Sequence, residues 1–213
     1  LGMKTAIVEK YPKLGGTCLN VGCIPSKALL ESSEHFFKSN HEFSEHGIVI
    51  DNIKMNLMQK MKRKDKIISE MHQGLGFLMK KNKITVFNGM GSFIDSNNII
   101  ITNNQEEKKI NGKNIIIATG SKPFSLPFFN MDKKRIITST EILQLKEIPN
   151  NLTIVGAGVI GLELGSVYAR MGTKVTVIDV AKNVFSSMDS NLGKELKKVL
   201  SRDLGFNFYM SHT

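Results

Sequence analysis

The chain has 213 residues, more than one ordinary domain requires, and its 41% hydrophobic and 23% charged content is normal for a protein with a buried core. No apolar run approaches the roughly 18 residues of a membrane helix, and the first residues lack the blocks of a signal peptide. Scattered basic clusters at 60–66, 80–83 and 133–135 supply much of the net charge of +10, without an aromatic platform or nucleic-acid motif. That pattern reads as a solvated basic surface, with weak attraction to acidic partners as the alternative.

In chain order, residues 3–10 (Met-Lys-Thr-Ala-Ile-Val-Glu-Lys) predict a short strand buried on both faces and ending in an acid. Glu9 is either a plain strand-end acid or the ribose-binding acid that follows a glycine-rich turn in dinucleotide folds. Residues 15–27, Gly-Gly-Thr-Cys-Leu-Asn-Val-Gly-Cys-Ile-Pro-Ser-Lys, hold both cysteines, Cys18 and Cys23. Two cysteines make no disulfide framework; in a reducing compartment such a pair is catalytic, redox-sensing or metal-binding. On an ideal helix, residues five apart have Cα atoms about 8–9 Å from each other. A disulfide needs them within roughly 7 Å. If Cys18 and Cys23 bridge, the segment cannot be a regular helix, and Gly22 is the natural place for the break.

A helix is expected over 26–39, with Pro25 in a tolerated first-turn position, and a longer one over 56–80. In the second, Met58, Met61, Ile68, Met71, Leu75 and Leu78 recur at three- and four-residue steps and predict the core or interface face. His35, His41, His46 and His72 share no ligand spacing with one another or with the cysteines, which rejects a zinc site. Short strands are expected at 84–87, 91–94, 99–102 and 115–117, with turns at 95–98 and 103–104. The last strand runs into Ala118-Thr119-Gly120-Ser121, where backbone can approach a ligand at a strand's carboxyl end. Residues 122–149 carry Pro123, Pro127 and Pro149 and read as a connection with a short helix near 139–145.

A strand at 152–155 leads directly into Gly156-Ala157-Gly158-Val159-Ile160-Gly161, a helix to about Met171, and a second strand ending at Asp179. A GxGxxG between strand and helix, with an acid 23 positions after Gly156, is a dinucleotide fingerprint. Its glycines permit the tight turn, the approach of pyrophosphate and close helix–strand packing, and the helix N-terminus offers amides to phosphate. Asp179 suits a ribose diol. Only Lys182 follows where an arginine cluster would signal a 2′-phosphate, so NAD is favoured over NADP.

A cysteine pair and a dinucleotide fold together suggest two-electron transfer between a disulfide and nicotinamide, with a flavin between them. The run 15–27, Val-Gly-Ala-Gly-Val-Ile-Gly-Leu-Glu-Leu-Gly-Ser at 155–166, Asn-Gly-Met-Gly at 88–91 and Ile-Ala-Thr-Gly-Ser at 117–121 resemble the flavin disulfide reductases, the class I pyridine nucleotide-disulfide oxidoreductases. Within them the resemblance is to the dihydrolipoamide dehydrogenase group and covers nearly the whole chain.

The resemblance implies an α/β fold: a partial Rossmann-like FAD-binding domain with inserted helices and a β-meander over 1–149, then a partial NAD-binding Rossmann domain over 150–213. It places Glu9, Lys10, Gly15, Gly16, Thr17, Cys18, Lys27, Gly91, Thr119, Gly120 and Ser121 at FAD. It places Gly156, Gly158, Val159, Ile160, Gly161, Glu163 and Asp179 at NAD, with Glu163 near enough to pair with Lys27. Cys18 is then the interchange thiol and Cys23 the flavin-facing thiol; dihydrolipoamide reduces their disulfide and the electrons reach NAD⁺ through FAD. The implied partners are the lipoyl domains of 2-oxo-acid dehydrogenase complexes and the glycine cleavage system, within a homodimer and without nucleic acid or membrane. The family's usual home is the mitochondrial matrix, with a plastid-type organelle or bacterial cytoplasm as alternatives.

The family's first FAD strand with its glycine fingerprint would precede Leu1, and its histidine–glutamate base would follow Thr213. The expectation is a fragment with negligible turnover and weakened FAD binding by itself. The rival readings are a glutathione or mercuric reductase, which would prefer NADPH, and a non-enzymatic thiol redox module that needs no flavin.

Overall fold

The computed structural model describes residues 2–124 and 129–212, so Pro127 of the expected connection lies outside the described residues. Internal packing divides the chain into two units, Leu1–Asn20 with Lys66–Lys122, and Val21–Asp65 with Pro123–Thr213.

In the first unit, β1 (Ala6–Glu9) pairs in parallel with β2 (Thr85–Asn88), Ala6 opposite Thr85 and Glu9 opposite Asn88. A short helix, α1 (Gly16–Val21), begins at the glycine pair that follows β1. An antiparallel meander is built from β3 (Met90–Phe93), β4 (Asn98–Asn103) and β5 (Glu106–Asn111). Its first turn is held by Asp95, whose Oδ1 accepts from the backbone N–H groups of Asn97 and Asn98, both at 2.8 Å. The Asn98 side-chain amide and these backbone donors hold the Asp95 carboxyl below the usual range. Its second turn places Asn104 and Gln105 at φ +51° and +90°, the paired positive φ of a tight hairpin.

Two expectations need correction here. Residues 115–117 form no strand, and Ile116 and Ile117 stand 88% and 71% exposed. A strand exists through its ladder, and among the described residues no strand pairs with this segment. Conversely β5, Glu-Glu-Lys-Lys-Ile-Asn, carries too few apolar residues to be visible as a strand, and its register with β4 makes it one.

The long helix α3 (Leu57–Lys81) forms as expected, and at 100° per residue its buried positions fall on the face of the expected stripe, though not always on the expected residues. Met58, Met71 and Leu78 are exposed, while Leu57, Lys60 and Lys64 are buried and Met61 packs against a core cluster. Lys64 Nζ donates to the Leu143 carbonyl at 3.0 Å and pairs with Asp65 at 2.9 Å. Lys60, 5% exposed, meets the Met171 sulfur at 3.3 Å. Burial, helped by the charge of Arg170, lowers its amine to about 7. Lysine stems thus fill a face that periodicity assigns to methionine.

The second unit contains α2 (Cys23–His41), a 3-10 turn at Phe43–His46 and another at Glu141–Gln144. Its sheet is parallel, in the order β6 (Asn151–Val155), β7 (Lys174–Asp179), β8 (Asn207–Met210). The crossovers are α4 (Val159–Ala169) and α5 (Ser190–Leu204). This β-α-β-α-β run is the first half of a doubly wound dinucleotide fold. Ala157, Leu162, Val175, Val177, Val184, Leu200 and Phe206 bury one core around the sheet. Leu29 of α2 joins Leu164, Val167 and Tyr168 of α4 with Ile142 and Leu143 in a second. The fully buried Tyr168 phenol donates to the Ile142 carbonyl at 2.6 Å, and burial pushes its pKa upward. Asp189 caps α5 by accepting from the N–H groups of Asn191 and Leu192, and Gly205 ends it at φ +66°.

Candidate functional site

The first glycine turn lies in the first unit. Glu9 ends β1, and its Oε1 accepts the Tyr11 N–H at 3.0 Å, while the Lys10 ammonium lies 4.9 Å from the centre of the Tyr11 ring. Gly15 and Gly16 follow at φ +106° and +58°, conformations that a Cβ resists. At Gly15 a Cβ would also lie 2.5 Å from Leu19 Cδ2, so the turn folds tightly over the helix it opens. Asn20 closes it: its Nδ2 donates to the Leu14 carbonyl at 3.1 Å and the Gly16 carbonyl at 2.9 Å. Thr17 Oγ1 donates to the Ser121 carbonyl at 3.4 Å, which ties the turn to the segment Thr119–Ser121, where Gly120 has φ +73°. Gly91 of β3 is close enough to β1 that a Cβ there would lie 3.2 Å from Val8 Cγ1. Glu9, the Gly15–Thr17 turn, Gly91 and the 119–121 segment therefore all belong to this unit.

Cys18 is exposed within α1. The expected interruption is present at Gly22, whose φ −137° and ψ −117° are not helical, and Cys23 begins α2, also exposed. Pro25 sits fully buried in the first turn of α2, where its missing N–H costs nothing. The Ser26 N–H and hydroxyl both donate to the Gly22 carbonyl, at 3.0 and 2.7 Å, and fasten the break.

In the second unit Lys27, one turn into α2, donates to both carboxylate oxygens of Glu163 at 2.7 and 2.8 Å. Glu163 lies one turn into α4, directly after the second glycine turn. There Gly156 has φ +106°, and its N–H donates to the Ile178 carbonyl at 2.8 Å. Gly158 caps α4, whose first bond runs from the Leu162 N–H to the Gly158 carbonyl at 3.1 Å. A Cβ at Gly161 would meet the Gly156 carbonyl and Ile154 Cγ2, both at 2.8 Å; the third glycine is what lets helix and strand touch. Asp179, at the end of β7, accepts the Ala157 N–H on Oδ2 at 2.6 Å and the Ala181 N–H on Oδ1 at 2.7 Å. It holds the turn from the neighbouring strand, and a carboxylate retains acceptor capacity beyond two bonds.

Both turns fit a dinucleotide. A Cβ at Gly16, Gly120, Gly156 or Gly158 would meet nothing within 4 Å, so the space beside these residues is open. Val159 and Ile160, in the first turn of α4, are exposed at 47% and 56%, on the helix end where amides favour an anion.

Asn20 and His72 are the residues that motif reading passes over. Asn20 stands inside the quoted cysteine run, and its place four residues after Gly16 is the one signal for a carbonyl clamp. His72, whose Nε2 lies 3.0 Å from Asn20 Oδ1, carries no signal in sequence because the contact spans 52 positions.

Comparison with known proteins agrees with this geometry. The family model described as pyridine nucleotide-disulphide oxidoreductase matches residues 1–213. The mitochondrial dihydrolipoyl dehydrogenase of Pisum sativum is 45% identical over 203 residues, 95% of this chain and 40% of that protein. The leghemoglobin reductase of Glycine max is 44% identical over 203 residues, again 95% of this chain and 39% of that protein. Among solved structures, the HOCl-induced flavoprotein disulfide reductase RclA of Escherichia coli superposes with a TM-score of 0.82 at 25% identity, over 100% of this chain and 44% of that one. The chain thus spans about two fifths of the length of these relatives. With both glycine turns, the interrupted helix between the cysteines and a family match over its full length, the chain belongs to the pyridine nucleotide-disulphide oxidoreductases.

Proposed function

We propose that the protein to which this chain belongs is a dihydrolipoyl dehydrogenase, oxidising lipoyl-bound dihydrolipoamide at the expense of NAD⁺. The observation that carries the proposal is the segment Cys18–Cys23, two exposed cysteines on either side of the non-helical Gly22. Residues 1–149 are read as the FAD-binding domain and 150–213 as the start of the NAD-binding domain. Glu9, Lys10, Gly15–Cys18, Lys27, Gly91 and Thr119–Ser121 would hold FAD; Gly156, Gly158–Gly161, Glu163 and Asp179 would hold NAD. When bound, FAD supplies a two-electron relay between sulfur and nicotinamide.

The chain's own part is thiol chemistry. In the oxidised state Cys18 and Cys23 share a disulfide. A thiolate of dihydrolipoamide attacks Sγ of Cys18, forming a mixed disulfide and expelling Cys23 as thiolate. Cys23 begins α2, where the helix's leading amides favour negative charge. The second substrate sulfur then closes onto the first, releasing lipoamide and leaving Cys18 reduced. The net reaction is dihydrolipoamide plus NAD⁺ to lipoamide plus NADH and a proton. Lys27 and Glu163 neutralise each other beside the second turn and set the ends of α2 and α4 against one another.

The relatives' names vary while identity hardly does, 45% against 44%, so the assay below, rather than a name, decides the substrate class. The proposed partners are lipoyl domains of 2-oxo-acid dehydrogenase complexes and of the glycine cleavage system. The proposed assembly is a homodimer in the mitochondrial matrix. The test is to express the complete reading frame and assay NADH and NADPH, each with lipoamide and with oxidised glutathione. The reading expects NADH with lipoamide, and loss of at least about a thousandfold in Cys23→Ser. Preference for NADPH with glutathione, or a wild-type rate in Cys23→Ser, would sink it.

A further inference from the structure

His72 lies on α3, outside every motif quoted for the family, and it reaches the redox segment through one contact, Nε2 to Asn20 Oδ1 at 3.0 Å. The Asn20 amide has both donors committed, to the carbonyls of Leu14 at 3.1 Å and Gly16 at 2.9 Å. Its oxygen therefore accepts, and the imidazole proton sits on Nε2. The other ring nitrogen, Nδ1, is buried and has no hydrogen-bond partner among the described residues. An unsatisfied buried nitrogen is a cost, and an apolar side chain would fill the same volume without it. What the imidazole adds over such a side chain is the donor to Asn20.

Resting on the FAD reading above, we infer that His72 is a positioning residue for the cofactor turn. It fixes the orientation of the Asn20 amide. The amide in turn pins the carbonyls of Leu14 and Gly16, so that Gly15 and Gly16 keep their positive φ and the turn keeps the shape that receives a pyrophosphate. His72 touches neither cofactor nor substrate; it acts through Asn20.

Two variants separate the donor from the space it occupies. His72→Gln keeps a donor near the Nε2 position, and His72→Phe keeps a ring without one. Both are made in the complete protein, and two quantities are read: the rate of FAD release, followed by flavin fluorescence, and amide hydrogen exchange over residues 14–20. His72→Phe is expected to release FAD about fivefold faster or more, the order expected for one hydrogen bond, and to exchange faster over 14–20. It is expected not to lower the thermal midpoint of the FAD-free protein, because the orphaned nitrogen is gone. His72→Gln is expected to restore both rates to near wild type. His72→Phe matching wild type, or His72→Gln releasing FAD as fast as His72→Phe, overturns the inference and leaves the cofactor reading intact. An unvaried protein with no FAD to release overturns the cofactor reading before any variant is made, and exchange over 14–20 still reports the clamp.

Discussion

Gly15 and Gly156 share a φ of +106°, and each opens a turn that leads from a parallel strand into a helix, yet the two turns are held by different means. The second turn is short. It feeds an 11-residue helix, and a carboxylate at the end of the next strand, Asp179, takes its Ala157 N–H at 2.6 Å. The first is longer and feeds a helix of only 6 residues that stops at Gly22. Its own strand-end acid, Glu9, takes the Tyr11 N–H, and an amide from its own helix, Asn20, braced by His72, holds its carbonyls. The difference lies in the clamp: a carboxylate from the next strand takes the Ala157 N–H in the second turn, while an amide donor takes the Leu14 and Gly16 carbonyls in the first. Each turn leads into a helix, which opens on the exposed Val159 and Ile160 in one case and carries the exposed Cys18 in the other.

The comparison breaks most visibly at Gly15. An alanine there must adopt φ +106° and sit 2.5 Å from Leu19 Cδ2 and 2.7 Å from Leu19 Cβ, a side chain that is itself buried. Gly15→Ala is expected to cost about 2–4 kcal/mol, strain and overpacking together, measured by urea unfolding of the complete protein. Gly161→Ala comes next. Its φ is ordinary, but the Cβ would press on the Gly156 carbonyl and Ile154 at 2.8 Å, forcing α4 off β6, at about 1–3 kcal/mol. If Gly161→Ala proved the costlier of the two, the second turn would be the more tightly built.

The clamps themselves sharpen the contrast. Asp179→Ala leaves two backbone N–H groups, those of Ala157 and Ala181, without their acceptor and is expected to cost about 1–2 kcal/mol. Its effect should appear in NADH affinity measured by calorimetry while FAD content stays unchanged. Equal loss of both cofactors would mean that the two turns are not independently held.

The two turns also differ in how far sequence reveals them. The second is entirely local: strand, three glycines, helix, strand and acid follow within about thirty residues, and each reads at its own position. The first is readable through its glycines, its cysteines and Gly22 but not through its bracing, which comes from 52 positions away in His72 and 104 away in Ser121. The same reasoning accounts for the other departures. Ile115–Ile117 have strand composition but no ladder, and β5 has a ladder without strand composition, since pairing is set by neighbours rather than by propensity. On α3 the period and the face are legible but not the burial along it, because Lys60 and Lys64 can bury their stems while Met58 and Met71 stay outside.

The smallest expected effect on stability is at Gly158, and it separates ligand space from fold. Gly158 has φ −86° and ψ +173°, open to any residue, and a Cβ there would meet nothing within 4 Å. An alanine should therefore fold normally, at a cost below about 1 kcal/mol for a poorer N-cap. In a turn that served structure alone, nothing else would change. In a turn that receives pyrophosphate, the new methyl occupies the approach, and NADH binding should weaken roughly tenfold or more. At the first turn Gly16 also faces open space, but its φ of +58° adds backbone strain to any substitution. Gly158 is thus the position where a change in affinity without a change in stability identifies a nucleotide site, and a Gly158→Ala protein that binds NADH like wild type would remove that role from the second turn.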